Sequence, residues 1–271
     1  MSDPLVIAST VDGVTTLTMN HARRLNGWTA PMLEALMGAL QRAGQDPATQ
    51  AVVLTGSGAY YSAGVNLGGT LRVQHPRVLH GLIVAQNQAL FDAFLDLEKP
   101  VVAAVNGPAI GAPVTSSTLC DAIVAADGAT FLTPFSRLGI PPEGCSSVMF
   151  ERLMGAEAAR RMLGPEGWRP TADEAVAVGL ADDVVPAEEL LTRAQDLARE
   201  RIAVGRTFRG GFTREELKAV NARESVALAT AFLSPPFLAG QMRFLWSKKK
   251  RQPAAMFAAL WATSPLWRLL L

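Results

Sequence analysis

The chain has 271 residues, of which 49% are hydrophobic and 18% charged, so it is long enough to bury a large core. A formal net charge of +1 gives no reason to expect nucleic acid or an acidic membrane surface as a partner. Two cysteines exclude a disulfide framework, and three histidines show no metal-ligand spacing, so we expect no bound metal. With no signal-peptide pattern at the N-terminus and no apolar run long enough to span a bilayer, we expect a cytoplasmic protein.

Strand and helix patterns alternate through the first two thirds of the chain. Residues 5–9 and 14–19 flank an Asp12-Gly13 pair, which predicts a β-hairpin. Thr29 is typical of a helix N-cap, and an apolar helical stripe follows it. Further strands are predicted at residues 51–55, 100–105, 122–126, 129–132 and 180–185. Helices are predicted between them at residues 78–97, which are mainly apolar, and at 113–119, 145–153 and 157–163. Thr171 with Glu174 three residues later is a capping-box pattern, which predicts a further helix start.

The last third of the chain has a different pattern. Beyond about residue 188 only helical patterns occur, whereas the alternation before it predicts an α/β fold. We therefore predict a core at residues 1–205 and a helical C-terminal region at residues 206–271. The chain ends in an apolar stretch, which we expect to pack on this chain or on a subunit partner.

One acid, Glu143, stands on a stiff turn between Pro142 and Gly144 and is followed by apolar helical residues. Poor solvation raises the pKa of a carboxyl group toward neutrality, and proline restricts the backbone that aims it. These conditions suit a general base. The alternative is an ordinary acid at a helix N-terminus, where negative charge favours the helix dipole. This segment alone favours the ordinary acid. The rest of the chain makes the general base the preferred interpretation.

Two loops after predicted strands could approach a ligand closely. Residues 56–69, GSGAYYSAGVNLGG, are rich in glycine, which permits unusual backbone angles. They form neither a P-loop nor a dinucleotide fingerprint, because the closing Gly-Lys-Ser/Thr and the glycine spacing are missing. The second loop, residues 106–112, leads into a helix opened by Pro113. Either loop by itself is compatible with a tight strand-to-helix connection that binds nothing.

Four ordered blocks of the sequence together resemble the crotonase family, also called the enoyl-CoA hydratase/isomerase family. They are VVLTGSGAYYSAGVNL (52–67), KPVVAAVNGPAIGAPV (99–114), CDAIVAADGATFLTPFSRLGIPPEGCSS (120–147) and ADEAVAVGLADDVV (172–185). The resemblance implies a ββα spiral core and an acyl-CoA thioester substrate. It also implies a homotrimer or a dimer of trimers. No separate cofactor is expected, since coenzyme A is part of the substrate.

The resemblance also assigns catalytic roles. Backbone N–H groups of Val65 and Ala112 would form an oxyanion hole, and Glu143 would be the acid and base. Donors at the start of a helix suit developing negative charge, which agrees with the position of Ala112. Hydratases of the family carry two glutamates at the positions that Thr115 and Phe135 occupy here. Neither residue is a carboxylate, which argues against hydration.

The run TPFSRLGIPPEGCSS (133–147) is similar to peroxisomal-type Δ3,Δ2-enoyl-CoA isomerases. The resemblance implies that Glu143 takes a proton from C2 of a 3-enoyl-CoA and returns it at C4, giving the 2-trans-enoyl-CoA of fatty-acid oxidation. Alternatives on the same scaffold are a thioester hydrolase or a dehalogenase. A non-catalytic CoA-binding subunit is a further alternative.

Contacts to coenzyme A and to the acyl chain also follow from the resemblance. Coenzyme A would lie along residues 62–67, Arg24 would contact its phosphates, and Phe135 would supply a dry wall beside the acid. Lys248 would contact the nucleotide, although a solvated side chain is an equal alternative. The implied contact residues are Arg24, Ala63, Asn66, Leu67, Phe135, Phe244 and Lys248.

Overall fold

The computed structural model describes residues 3–65 and 75–267, and a six-stranded sheet lies at its centre. The strands, in chain order, are β1 (Val6–Val11), β2 (Val14–Met19), β3 (Ala51–Gly56), β4 (Val101–Val105), β5 (Ala109–Ile110), β6 (Ala122–Ala126), β7 (Phe131–Leu132) and β8 (Asp183–Val185). The large sheet has the order β1-β2-β3-β4-β6-β8, and β5 pairs with β7 in a second sheet. The pair β1–β2 is antiparallel, and the other pairs are parallel.

Ten helices connect and cover these strands in the described residues. They are α1 (Ala30–Gln45), α2 (Pro76–Leu95), α3 (Ala112–Thr118), α4 (Phe135–Leu138), α5 (Ser146–Leu163), α6 (Ala172–Ala177), α7 (Leu190–Val204), α8 (Arg214–Phe232), α9 (Pro235–Ser247) and α10 (Arg251–Trp267). The predicted α/β class is confirmed. None of the helices in residues 3–65 and 75–267 combines the length and the apolar character needed to cross a membrane.

Several local sequence signals are found where they were predicted. Asp12 and Gly13 have φ of 48° and 78° and turn the chain between β1 and β2. The Thr29 hydroxyl accepts a hydrogen bond from the N–H of Met32 and caps α1. Thr171 forms a capping box with the glutamate three residues later, at the start of α6. These signals act within a few residues, so the sequence alone suffices to place them.

The central strands are buried on both faces, as their continuous apolar runs predict. In β3, Val52 and Leu54 belong to the main core, which α1, α2 and α5 share. The alternate residue Val53 belongs to a second core on the other face, where α7 packs. Gly155 has φ of 78° and interrupts α5, which explains why two separate helices are predicted there.

The C-terminal helices extend the core. Leu217 and Val220 of α8 pack into the main core, and α8 lies along α2. Farther along α8, Phe232 packs in another apolar cluster with α9 and α10. The predicted division after residue 205 therefore falls shortly before a helix that takes part in the main core, and it remains a prediction.

Candidate active site

A cavity of about 250 Å³ lies between α2, α8 and the loops that precede α3 and α5. It brings together five residues singled out from the sequence: Ala63, Val65, Ala112, Phe135 and Glu143. Its other lining residues are mostly apolar: Leu33, Gly64, Ile83, Gln86, Asn87, Leu90, Ile110, Gly111, Pro134, Leu138, Ile140, Leu228 and Phe232. An apolar cavity with a few convergent polar groups is typical of a small-molecule site.

Two loops meet at one end of this cavity. The N–H of Trp28 donates to the carbonyl of Gly64 at 2.8 Å, and the N–H of Ile110 donates to the carbonyl of Ser62 at 3.0 Å. Gly64 has φ of 86°, and a Cβ there would clash with the carbonyl oxygen of Ile110. The close approach of the loops therefore requires glycine at position 64.

This contact brings the two amides implied by the resemblance to the same cavity. Within residues 3–65 and 75–267, no acceptor takes the N–H of Val65 or that of Ala112. Ala112 is the first residue of α3, where N–H groups have no partner within the helix. In the described part of the chain, both N–H groups therefore lie at the cavity without an acceptor.

Glu143 is buried, with only 4% of its surface exposed. Gly144 and Cys145 follow it with φ of 65° and 64°, and this left-handed pair turns the chain into α5. A Cβ on Gly144 would lie 2.5 Å from both the Phe91 ring and the Thr115 hydroxyl oxygen. The tight turn therefore fixes the position from which the Glu143 side chain reaches the cavity.

Burial raises the pKa of Glu143 from its ordinary value of 4.5 to about 8. The negative charge of Glu224 acts in the same direction, and a hydrogen bond from Thr115 acts in the opposite one. A carboxyl group that titrates near neutrality can both accept and return a proton. This property distinguishes Glu143 from an ordinary solvated acid at a helix N-terminus.

Thr115 has a role that the sequence analysis did not foresee. Its hydroxyl lies 3.2 Å from Oε1 of Glu143 and 3.1 Å from the carbonyl oxygen of Ala112. The hydroxyl can donate to the Glu143 carboxylate. Alternatively, it can accept a hydrogen bond from the carboxylic acid while donating one to the carbonyl of Ala112. It is thus a suitable partner for both protonation states.

Glu224 of α8 was also missed. Its carboxylate accepts hydrogen bonds from the N–H groups of Cys145 (2.6 Å) and Ser147 (2.9 Å) at the start of α5. The contact joins residues 79 positions apart, which no local pattern reveals. A weak signal existed, because Glu224 continues the helical spacing of the buried residues Leu217 and Leu228. An acid on the apolar stripe of a helix needs a buried partner.

Two polar side chains in the cavity also lay outside the sequence analysis. Gln86 and Asn87 project from α2, which the sequence characterised only as apolar. The Asn87 amide donates to the Ser225 hydroxyl of α8 at 3.1 Å. The bond joins two of the helices that border the cavity.

The candidate CoA contacts are more scattered. Arg24 is exposed and adjoins the Ala63 loop, since the N–H of Ala63 donates to the carbonyl of Leu25. Asn66 and Leu67 lie outside the described residues. Their roles remain predictions.

Phe244 and Lys248 lie at the exposed end of α9, where the Lys248 ammonium is 5.9 Å from the Phe244 ring. They do not line the described cavity. In residues 3–65 and 75–267 no three His, Cys, Asp or Glu side chains are grouped to hold a metal.

Known proteins resemble this chain over most of its length. Human enoyl-CoA delta isomerase 2 is 36% identical over 90% of this chain, which spans 64% of that relative's length. Mouse peroxisomal enoyl-CoA delta isomerase 3 is 33% identical, with 90% of this chain and 79% of the relative covered. A 4-chlorobenzoyl coenzyme A dehalogenase from Arthrobacter sp. is 29% identical, with coverage of 93% and 94%.

A solved structure and a family model agree with these relatives. An enoyl-CoA hydratase/isomerase crystal structure from Pseudoalteromonas atlantica T6c has a TM-score of 0.74 at 27% identity, covering 92% of this chain and 98% of that one. The model of the enoyl-CoA hydratase/isomerase family matches residues 9–225. The resemblance inferred from the four sequence blocks is confirmed, and the chain belongs to the enoyl-CoA hydratase/isomerase family.

Proposed function

We propose that this chain is an enoyl-CoA isomerase that moves a double bond from C3 to C2 of an acyl-CoA thioester. The observation that carries the proposal is a buried carboxyl group, Glu143, that shares one apolar cavity with the backbone of Val65 and Ala112. A pKa of about 8 suits an acid that must release its proton again in the same turnover. The two relatives named as delta isomerases support the same activity.

The proposed mechanism needs one proton carrier and one anion site. The Glu143 carboxylate takes a proton from C2 of the 3-enoyl thioester, and the electrons move onto the thioester oxygen. The N–H groups of Val65 and Ala112 stabilise that dienolate oxygen. The dienolate then takes the proton back from Glu143 at C4, which leaves the double bond between C2 and C3. No proton is gained or lost overall.

Hydration is disfavoured by the residues around Glu143. Thr115 and Phe135 occupy the positions at which a hydratase would carry glutamates, and Phe135 is a buried apolar wall of the cavity. The other nearby carboxylate, Glu224, is engaged by two backbone N–H groups of α5. No second carboxylate is among the described lining residues to activate a water molecule for addition.

Dehalogenation is the second candidate, because one relative is named as a 4-chlorobenzoyl coenzyme A dehalogenase. Both reactions begin with the ionised carboxylate, so the raised pKa of Glu143 does not by itself favour either of them. Isomerisation is favoured because a carboxyl group that titrates near neutrality can also return the proton, and because the two delta isomerases are more similar to this chain (36% and 33% identity) than the dehalogenase is (29%).

The proposal also includes the coenzyme A contacts, the oligomeric state and the pathway. The substrate's coenzyme A would lie along residues 62–67, with its phosphates near Arg24. Phe244 and Lys248 would contact the nucleotide. We further propose a homotrimer or a dimer of trimers that acts in fatty-acid oxidation in the cytoplasm.

The activity is tested by incubating the full chain with 3-cis- and 3-trans-enoyl-CoA and following the conjugated 2-enoyl thioester. We expect conjugated product without release of free CoA. The variant E143Q should lower turnover by orders of magnitude while binding CoA as wild type does. Free CoA release would favour hydrolysis, chloride release from 4-chlorobenzoyl-CoA would favour dehalogenation, and full activity of E143Q would contradict the proposal.

A further inference from the structure

We propose that Glu224 of α8 is a positioning residue that fixes the turn carrying Glu143 and places a negative charge behind that acid. Glu224 does not line the cavity, so it acts through Glu143 and not on the substrate. This inference rests on the proposed function of Glu143 and adds a residue that controls it.

The geometric part of the proposal lies at the first turn of α5. Glu224 is 7% exposed, and its two oxygens accept separate hydrogen bonds from the N–H groups of Cys145 and Ser147. These are among the N–H groups that a helix leaves without internal partners at its start. The thiol of Cys145 also donates a hydrogen bond to the carbonyl of Leu217 at 3.2 Å. Two residues of α8, Glu224 and Leu217, therefore bond to Cys145. These contacts with α8 stabilise the left-handed backbone conformation of Cys145, which lies two residues after Glu143.

The hydrogen bonds favour the ionised form of Glu224. Each of its oxygens accepts a backbone N–H, as in a carboxylate. The positive end of the α5 dipole further favours the anion. Burial is the largest effect and raises the pKa of Glu224 above its ordinary value, and the hydrogen bonds from Ser147 and Cys145 offset part of that rise.

Among the described residues, four charged or titratable groups lie around Glu224. Glu143 and Cys145 face it from the turn before α5, and Asp92 approaches the same region from α2. Arg223, on its own helix, is the nearby cation. Burial is the main reason that the pKa of Glu143 is raised, and the charge of Glu224 is the second. A like charge in a poorly solvated interior acts strongly because solvent screens it little.

The direct test measures the Glu143 carboxyl by carbon-13 NMR across pH, with E143Q identifying its signal. In E224Q the side chain keeps its shape but loses its charge. We expect the titration midpoint of Glu143 to move down by roughly one pH unit. The acid limb of the isomerase kcat/KM profile should move by the same amount. A midpoint that stays in place or rises overturns the proposal.

Two further variants control this experiment. D92N removes a neighbouring negative charge that is not among the causes of the raised pKa of Glu143, so the Glu143 midpoint should shift much less than in E224Q. If E224Q does not fold, E224D replaces it. E224D keeps the charge, so the Glu143 midpoint should stay within about 0.5 units of wild type, and a fall of one unit or more overturns the proposal. Because NMR titration needs no turnover, an inactive wild-type chain would contradict the proposed function and leave this test intact.

Discussion

The hydroxyl of Thr115 lies 3.2 Å from Oε1 of Glu143 and belongs to the helix that begins with the amide of Ala112. One short helix thus contacts the proposed acid and presents one of the two amides proposed to bind the thioester oxygen. Their relative positions are fixed by the first turn of α3. Small displacements of reacting groups lower rates strongly, so this coupling is important to the proposed reaction.

Replacing Thr115 tests this contact. In T115V the isosteric side chain loses the hydroxyl that favours the ionised acid, so the pKa of Glu143 should rise. We expect the acid limb of the kcat/KM profile to move to higher pH and kcat/KM at pH 7 to fall roughly tenfold. The control S117A removes a hydroxyl on α3 that bonds the carbonyl of Val114, and its profile should match wild type. If the acid limb of the kcat/KM profile is unchanged in T115V, the hydrogen bond between Thr115 and Glu143 is not functional.

The amide of Ala112 can be removed without a change in helix position. Proline suits the first position of a helix, so A112P deletes the N–H and preserves the start of α3. We expect kcat for the isomerase reaction to fall roughly 100- to 1000-fold, as for the loss of one oxyanion donor. The control A112S retains the N–H and should retain most activity. Wild-type kcat in a folded A112P would rule out this amide as a donor.

Substitution of Gly144 distinguishes backbone strain from steric crowding at the turn before α5. G144A and G139A both place alanine at positive φ (65° and 68°), and the left-handed conformation costs about 1–2 kcal/mol for a residue with a Cβ. A Cβ at position 144 also meets Phe91 and Thr115 at 2.5 Å, whereas one at position 139 meets nothing within 4 Å. Urea unfolding should show G144A to be less stable than G139A by roughly 1–3 kcal/mol. G144A should also lose more isomerase activity than G139A does; equal behaviour would contradict the crowded turn.

The raised pKa of Glu143 also predicts how stability depends on pH. The folded chain holds this proton up to about pH 8, whereas the unfolded chain releases it near 4.5. Between those values the folded state binds more protons, so this group makes stability fall as pH rises and has no further effect above about pH 8. E143Q should therefore be more stable than wild type at pH 8 by a few kcal/mol, with little difference near pH 4. A constant difference across that range in urea titrations would contradict a raised pKa.

Local chemistry explains how much of the fold the sequence predicts. Thr29 and Thr171 cap helices through contacts within three residues, and β3 is recognisable by a continuous apolar run. Glu143 was found because proline and glycine surround it in the chain. Its family role came from four separated blocks considered together.

Long-range contacts explain what the sequence left out. Glu224 reaches the start of α5 from a helix 79 positions away, and its identity as an acid gives no hint of that partner. Thr115 was considered only as a missing carboxylate, because its distance to Glu143 depends on how α3 and α5 pack. Both are set by tertiary packing, which local propensity does not encode.

The central claim is that a single acid, Glu143, carries one proton from C2 to C4 of a 3-enoyl-CoA. It is tested most directly by a single turnover of 3-enoyl-CoA carrying two deuterium atoms at C2, with the product examined by mass spectrometry and NMR. We predict a conjugated product with deuterium at C4 in at least part of the molecules, since a buried carboxyl group exchanges slowly with solvent. Conjugated product without any deuterium at C4 would contradict transfer by one buried acid.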